Sequence, residues 1–468
     1  MTDLDAVCAE LKLEDEKAIV AAVSGGSDSI ALLILLHDYL NKLEATQTVP
    51  QLVAVTVDHD LRAESAAEAQ FVAQFCAQRN IRHIIKVWKA EKPSTGISAA
   101  ARAMRYHLLM EAAREAGASM IFTGHSQDDQ VETYIMRQSR QKNASGEGAN
   151  DFRGLAGMAV FTLLAREFLL VRPLLNARRE ALRDGLRGRN IQWIDDPTNL
   201  DTHYERPRIR QTRKEEEHQS YLTLIDQAVA KRTDINQQVA DYWDANAQLA
   251  KLVAPDIVLL DTALLAAMPQ EAASLFIGFV LAHIGGKNHL LRFEDRDFIC
   301  QTLSASQLSQ KRMNYAGCVI EAGLKHHRIW REHRNLPVVS VAQKSKILWD
   351  QRYYIQNNSD EAIEVRPVAR DDFHGFCLNN DLNRHDFFQP AVFSCPGIYK
   401  KNQLCGLPAL GFQCAEMNDI SVSKHYALLD NVLTGHDFIL ASRFYQHFGG
   451  GELNPVANIC RKFHKNRL

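Results

Sequence analysis

The nine cysteines of this sequence include no CxxC pair. Neither a disulfide framework nor a cysteine-built zinc site is therefore indicated, and the plain reading is reduced thiols packed as small hydrophobes. No apolar run approaches the roughly 20 residues that a membrane span needs. The opening MTDLDAVCAELKLEDEK is acidic and lacks a basic-then-apolar signal pattern, so a cytoplasmic location without a membrane is expected. An excess of one charge is missing too: 54 Lys and Arg face 56 Asp and Glu, a formal net charge of -2. Any nucleic-acid surface must then be local, not global. There is no internal repeat and no low-complexity tract. What remains is an ordinary globular composition, 46% hydrophobic and 24% charged, in 468 residues, enough for two to four domains.

The first two hundred residues alternate strand and helix patterns. KAIVAAVS (17–24) reads as a buried strand and DSIALLILLHDYLNKL as a helix, apolar nearly all round and so well covered. QLVAVTVDH (51–59) is the next strand, and 65–80 the next helix. IRHIIKVW, SAAARAMRYHLLMEAAREAG, SMIFTGH and DDQVETYIMRQ continue the rhythm, and EFLLVRPLL (167–175) reads as a fifth strand. Such alternation implies βαβ units and a parallel sheet, whose ligands sit at the carboxyl ends of the strands. The polar clusters SGGSDS, DHDLR and GHSQDD all fall there. Residues 140–154, rich in Gly, Asn and Ser, read as a mobile loop. The charged run 213–220 ends the first domain. From 221 to about 310 the patterns are helical, MNYAGCVIEAGLKHHRIWREH reads as a hairpin, and the last 120 residues suggest a smaller mixed domain.

In VSGGSDSIALL (23–33) a strand ends at Ser24 and a helix starts near Ser27. Gly25 and Gly26 let the backbone turn tightly and approach a ligand without Cβ obstruction. The N–H groups of the helix start, with the hydroxyls of Ser24, Ser27 and Ser29, make an anion cradle. The lysine of the commoner G-x-x-x-x-G-K-[ST] loop is missing. A carboxylate in a phosphate cradle repels its ligand, so Asp28 points to a bridging Mg²⁺ that reverses the local electrostatics. The bland alternative is a Gly turn with Ser caps and a helix-start Asp.

The whole S-G-G-x-D-S resembles the PP-loop of the N-type ATP pyrophosphatases. DHDLRAES (58–65), AARAMRYHLL (100–109), TGHSQDDQVET (123–133), RPLL (172–175), DDPTN (195–199) and YERPRIR (204–210) follow in order. Together they resemble the tRNA(Ile)-lysidine synthetase family over most of residues 17–213. CPGIYKKNQLCGLPALG (395–411) is similar to a weaker motif of that family's terminal domain. The resemblance implies an α/β fold in three parts: a parallel-sheet PP-loop domain (1–215), a mainly helical tRNA-binding domain (221–340) and a small mixed C-terminal tRNA-binding domain (345–468). It implies ATP and Mg²⁺ as cofactors. The wobble cytidine of a CAU-anticodon isoleucine tRNA is adenylated at its 2-oxygen. The side-chain amine of L-lysine then displaces AMP, giving lysidine, which pairs with A instead of G. A homodimer is left open.

In that chemistry Ser24, Gly25, Gly26, Ser27, Asp28 and Ser29 bind ATP, Asp28 also holding Mg²⁺, and Asp28, Arg105 and His125 are the expected catalytic groups. Arg102 and Arg105, three apart on one helix, face a phosphate or the flipped cytosine, with Tyr106 against a base; a solvated basic face is the alternative. Asp129 and Glu132, one helical turn apart, are expected to bind an ammonium of lysine. Ser126-x-x-Asp129 is also a capping box, which gives Asp129 a second reading. His125, at a strand end, meets a phosphate or accepts a proton. Arg62, Arg206, Arg208 and Arg210 join Arg102 and Arg105 as expected tRNA contacts. Twelve Lys and Arg against seven acids between Arg166 and Lys214, and the tract 461–467, fit RNA phosphate contact or charged helix faces.

Three features depart from the family pattern. Asp60 replaces a usual Gly, Pro207 an Asn, and the segment 140–154 is long. Asp tolerates left-handed backbone better than most residues, so the turn at Asp60 is expected to survive. The competing readings are a tRNA thiolase, a glutamine-dependent amidotransferase and a non-catalytic ATP-sensing RNA-binding protein. The missing CxxC, the missing glutaminase-like cysteine and the intact SGGSDS argue against them in turn.

Overall fold

The computed structural model describes residues 3–44, 47–61, 65–145, 151–195, 205–305, 311–413 and 419–451. These form two compact units. One is the chain up to Thr233 together with Leu433–Phe438; the other is Asp234–Val432 together with the stretch that starts at Ile439.

The first unit runs α1 (Asp3–Glu10), β1 (Ala18–Ala22), α2 (Ser27–Glu44), β2 (Gln51–Asp58), α3 (Ser65–Ala77), β3 (Arg82–Val87), α4 (Ile97–Ala116), β4 (Ala118–Thr123), α5 (Gln127–Ser145), α6 (Phe152–Leu155), β5 (Phe161–Leu164), β6 (Phe168–Val171), α7 (Arg179–Arg187), α8 (Glu205–Thr212) and the start of α9 (His218–Ala245). Strands β3, β2, β1, β4 and β6 are neighbours in that order and pair in parallel. The expected parallel sheet is therefore present. The fifth expected strand is β6, but β5 precedes it and pairs with it antiparallel. The helix α5 runs to Ser145 and so takes in the first part of the segment read as a loop, while residues 146–150 lie outside the described residues.

Strands β1, β2, β4 and β6 are buried on both faces, which is why they read as apolar runs, whereas the edge strand β3 (RHIIKV) is half-exposed. Val20, Val53, Ile121 and Leu170 pack with Leu109, Ala112 and Ala113 of α4 in one core. As its all-round apolar pattern requires, α2 buries Ile30, Leu32, Leu33 and Leu36 completely. The chain leaves β1 toward β2 on one side and reaches β4 on the other, and Ala22 of β1 stands level with Thr123 of β4. The carboxyl ends of β1 and β4 thus flank the point where the strand order reverses, where doubly wound sheets open a ligand crevice.

The second unit differs from its sequence reading in the middle. Helices continue through α9, but β7 (Ala250–Val253) and β8 (Ile257–Asp261) interrupt the pattern before α10 (Thr262–Ala267), α11 (Gln270–Gly285) and α12 (Phe293–Ser304). The stretch AKLVAPDIVLLD has a proline at its centre and too few residues on either side for a helix, so it folds back on itself. The expected hairpin is a three-stranded meander, β9 (Arg312–Tyr315), β10 (Cys318–Glu321) and β11 (His326–Arg331), joined to β8 in one antiparallel sheet. A five-stranded and a three-stranded sheet follow between Val339 and Lys424. No described helix is long and apolar enough to cross a membrane.

Candidate active site

The phosphate loop forms because β1 stops at Ala22 and the helical ladder starts at Ser27, leaving four residues to turn. Gly25 makes the turn with φ +89, a conformation that L side chains rarely adopt. Ser29 Oγ ties the loop together: it accepts from the Ser24 backbone N–H (3.2 Å), donates to Gly26 O (2.9 Å) and lies 3.3 Å from Ser24 Oγ. Ser24 stays exposed. From the other side the end of β4 presses close. A Cβ on Gly124 would stand 2.6 Å from the carbonyl oxygen of Asp28, so only glycine lets these two loops meet.

Between them opens a cavity of about 610 Å³, lined by Ser24, Gly26, Ser27, Asp28 and Ser29 from the loop, and by Arg102, Arg105, Tyr106, His125, Asp129, Arg179, Arg183 and Arg210 from elsewhere in the unit. The geometry therefore brings most of the expected site residues to one space. Glu132 and Arg206 do not line it: Glu132 is 1% exposed, and Arg206 approaches Asp129 at 4.0 Å. Arg208 is exposed on α8 and lines no part of this cavity. Arg62 and the tract 461–467 lie outside the described residues.

The acids of α5 are not free. Asp129 Oδ2 accepts from both the backbone N–H and the hydroxyl of Ser126 at 2.9 Å, so the return half of the capping box, side chain to the Ser126 N–H, is present, while the Ser126 hydroxyl donates to carboxylates instead of capping the helix. Its Oδ1 accepts from Arg179 Nη2 at 3.0 Å. Arg179 also donates to Asp28 Oδ2 (Nε, 2.9 Å) and to Glu132 Oε1 (Nη1, 3.1 Å). Arg210, expected at the tRNA, forks onto Glu132 at 2.7 and 3.2 Å. Asp128 accepts from the Arg179 backbone N–H (2.8 Å) and from Arg213 (2.9 Å). Arg178, Arg187 and Arg189 likewise bind acids of their own unit. Much of the basic tract thus matches internal carboxylates. Sequence reading counted Arg179 and Arg183 only as members of that tract. The missing signal was pairing, because Arg179 meets acids 47 to 151 residues away.

Arg183 stands on α7 with Nε 3.3 Å from Ser27 Oγ and Nη2 2.9 Å from Asp195. It puts a cation beside the loop that lacks a lysine. Arg102 lies over the Tyr106 ring at 5.2 Å, and Arg105 contacts His59 at 3.3 Å. His125 Nδ1 is 3.0 Å from Thr123 Oγ1. Burial, reinforced by Arg172 and opposed by Asp129, pushes the His125 imidazole down to about 3, so it is neutral at pH 7. Burial pushes the Asp28 carboxyl up, and Asp129 adds to this while Arg179 opposes it. Burial also acts on Asp129, but Arg179 and the Ser126 N–H overcome it and hold this carboxyl below its ordinary value.

The departures from the family pattern are absorbed locally. Asp60 takes φ +50, its N–H bonded to Asp58 Oδ1 at 2.8 Å, as the tolerance of Asp for left-handed backbone leads one to expect. Pro207 is the third residue of α8, inside the first turn, where its missing N–H has no intrahelical acceptor to lose.

The residues fit Mg²⁺ as an ion carried by phosphate. Asp28 offers hard carboxylate oxygens at the edge of the cradle, and the burial cost of its charge is one that a dication offsets. Among the described residues no three His, Cys, Asp or Glu side chains are grouped to hold a metal.

A family model described as a PP-loop domain matches residues 2–216. The tRNA(Ile)-lysidine synthase of Brucella anthropi is 41% identical over 437 residues, covering 92% of this chain and 93% of that protein. That of Brucella suis is 39% identical over 92% of this chain and 95% of its own. Among solved structures, a U34-tRNA thiolase from Methanococcus maripaludis covers 47% of this chain and 80% of its own at 14% identity, with a TM-score of 0.31. A phosphate loop at the switch point of a parallel sheet, followed by this length of kinship, leads to one conclusion: the chain belongs to the tRNA(Ile)-lysidine synthase family.

Proposed function

We propose that this chain ligates L-lysine to the 2-position of the wobble cytidine of a CAU-anticodon isoleucine tRNA, with ATP, switching decoding from AUG to AUA. The observation that carries the reading is the single cavity in which an anion cradle and a cluster of carboxylates adjoin. In the first step the cytidine 2-oxygen attacks the α-phosphorus of ATP and pyrophosphate leaves. In the second the lysine side-chain amine attacks C2 and AMP leaves.

The chain's part is positioning and charge compensation. The Ser24–Ser29 cradle holds the phosphates, and Arg183 supplies the cation that other phosphate loops take from a lysine. Asp28 would hold Mg²⁺, which neutralises charge on the departing pyrophosphate. A neutral His125 suits a hydrogen bond to phosphate better than a proton acceptor, because a base near 3 is too weak. Arg102 and Arg105, with Tyr106, receive the cytidine and its phosphate. Asp129 and Glu132 take an ammonium of lysine. Residues beyond about 221 select the tRNA, and the short basic helix α8 with Arg206 and Arg208 adds phosphate contacts.

Pyrophosphate release with ATP, Mg²⁺, lysine and CAU-anticodon tRNA tests this. Release that needs the tRNA, followed by lysine incorporation, supports it. Sulfur transfer, or orthophosphate in place of pyrophosphate, contradicts it.

A further inference from the structure

Asp129 and Arg179 line the cavity, but Glu132 does not. Arg179 covers it: one guanidinium reaches Asp28 at 2.9 Å, Asp129 at 3.0 Å and Glu132 at 3.1 Å. A substrate ammonium carries the same single positive charge and three donors. The two cannot hold the same oxygens together. Resting on the reading of Asp129 and Glu132 as the ammonium site, we infer that Arg179 is a built-in occupant of that site, drawn off by nucleotide phosphate and replaced by lysine.

The placement of Arg179 allows the exchange. It is the first residue of α7, it is 18% exposed against 9% for Asp129 and 1% for Glu132, and it already touches Asp28 within the phosphate loop. A phosphate arriving at Ser24–Ser29 offers the guanidinium a bidentate partner of higher charge than any one carboxylate. When Arg179 turns to it, Arg210 stays on Glu132, but Asp129 loses its closest cation and Glu132 one of two. Arg210 and Arg206 remain only at 3.9 and 4.0 Å from Asp129, and buried carboxylates short of a hydrogen-bonded counterion are costly, so the vacated oxygens favour an incoming ammonium. Nucleotide then tightens lysine, and by linkage lysine tightens nucleotide. That order, nucleotide before amine, is the one the two-step chemistry needs. A merely structural Arg179 has the opposite signature: its removal leaves the acids unheld and weakens lysine.

Equilibrium dialysis of labelled L-lysine against the full chain, with and without α,β-methylene ATP, reads the difference. In the wild type the nucleotide analogue tightens lysine by about tenfold or more. Arg179→Met binds lysine without nucleotide as tightly as the wild type does with it, and the analogue then adds less than about twofold. Arg179→Lys keeps a cation on the acids and leaves lysine binding weak until nucleotide is present. Lysine binding unchanged or weakened in a folded Arg179→Met overturns the inference, as does a wild type in which nucleotide leaves lysine affinity alone. If Arg179→Met does not fold, the wild-type coupling and Arg179→Lys decide it. Glu132→Gln separates the two levels. Lysine binding lost in Glu132→Gln but not gained in Arg179→Met removes the occupant and keeps the pocket. Lysine binding indifferent to Glu132→Gln removes the pocket and the occupant with it.

Discussion

Around Ser24–Ser29 the hydroxyls of Ser24 and Ser29 bond to each other and to the loop's own backbone, Ser27 Oγ donates to Asp28 Oδ1 and accepts from Arg183, and Ser24 stays open to the cavity. A few ångströms away, Asp28, Asp128, Asp129 and Glu132 each have an arginine within hydrogen-bond distance. Both regions are polar and both are preorganised, but the first is built to receive charge and the second already holds its counterions. The difference follows from solvation. Neutral hydroxyls and N–H groups tolerate water while they wait for a ligand, whereas buried carboxylates need a partner at all times. A site that combines them can open the second region only by exchange, and Asp28, which belongs to both, is where the exchange is felt.

Removing that shared residue has the largest expected effect. Asp28→Asn should lower tRNA adenylation on the order of 100-fold or more, read as pyrophosphate release. Its melting temperature should not fall, because burial already disfavours the charged form of Asp28. Unchanged turnover would return Asp28 to a helix-start role. Gly124→Ala attacks the same boundary sterically. Its Cβ meets the Asp28 carbonyl at 2.6 Å, so β4 and the loop must part, costing about 1–3 kcal/mol in denaturant unfolding along with ATP affinity. Arg183→Gln sharpens the comparison on the phosphate side: KM for ATP should rise about fivefold, with lysine KM unchanged, since this arginine is partly solvated.

The smallest effect concerns acid. The folded pKa of His125 lies near 3, below its ordinary 6.5, so the unfolded chain takes up the proton first. Stability is complete above 6.5 and declines as pH falls from about 6.5 toward 3. Asp128, held down to about 2 against its own burial by the Arg179 N–H and Arg213, contributes stability above its ordinary 3.8 that is lost as pH falls toward 2. His125→Gln should flatten the fall of melting temperature between pH 6.5 and about 3 relative to wild type, and leave in place the part that Asp128 causes as pH falls from 3.8 toward 2.

How much of this was legible in the sequence differs element by element. The central parallel strands were, because burial on both faces makes them nearly continuous apolar runs. The strand β5 was not. Its three-residue turn into β6, Ala165 to Glu167, places Ala165 and Arg166 at φ +51 and +56, a left-handed pair that usually announces itself with Asn or Gly. Without that signal FTLLAREFLLV reads as one strand and a lead-in. The phosphate loop was legible because its chemistry is local, six consecutive residues. The arginine partners of the acids were not, since composition records a surplus of positive charge and cannot say which acids will meet it. Much of that surplus is paired with acids of the same unit, some buried at the site and some at the surface.

The central claim is that the carboxylates beside the phosphate loop serve the amine step and not the adenylation step. Glu132→Gln tests it most directly, with tRNA carrying label from α-³²P ATP followed over a range of lysine concentrations. The account predicts adenylation close to wild type, accumulation of AMP–tRNA and stalled lysidine formation that high lysine only partly restores. Adenylation abolished, with lysine affinity unchanged, would assign these carboxylates to ATP or its metal and contradict the account.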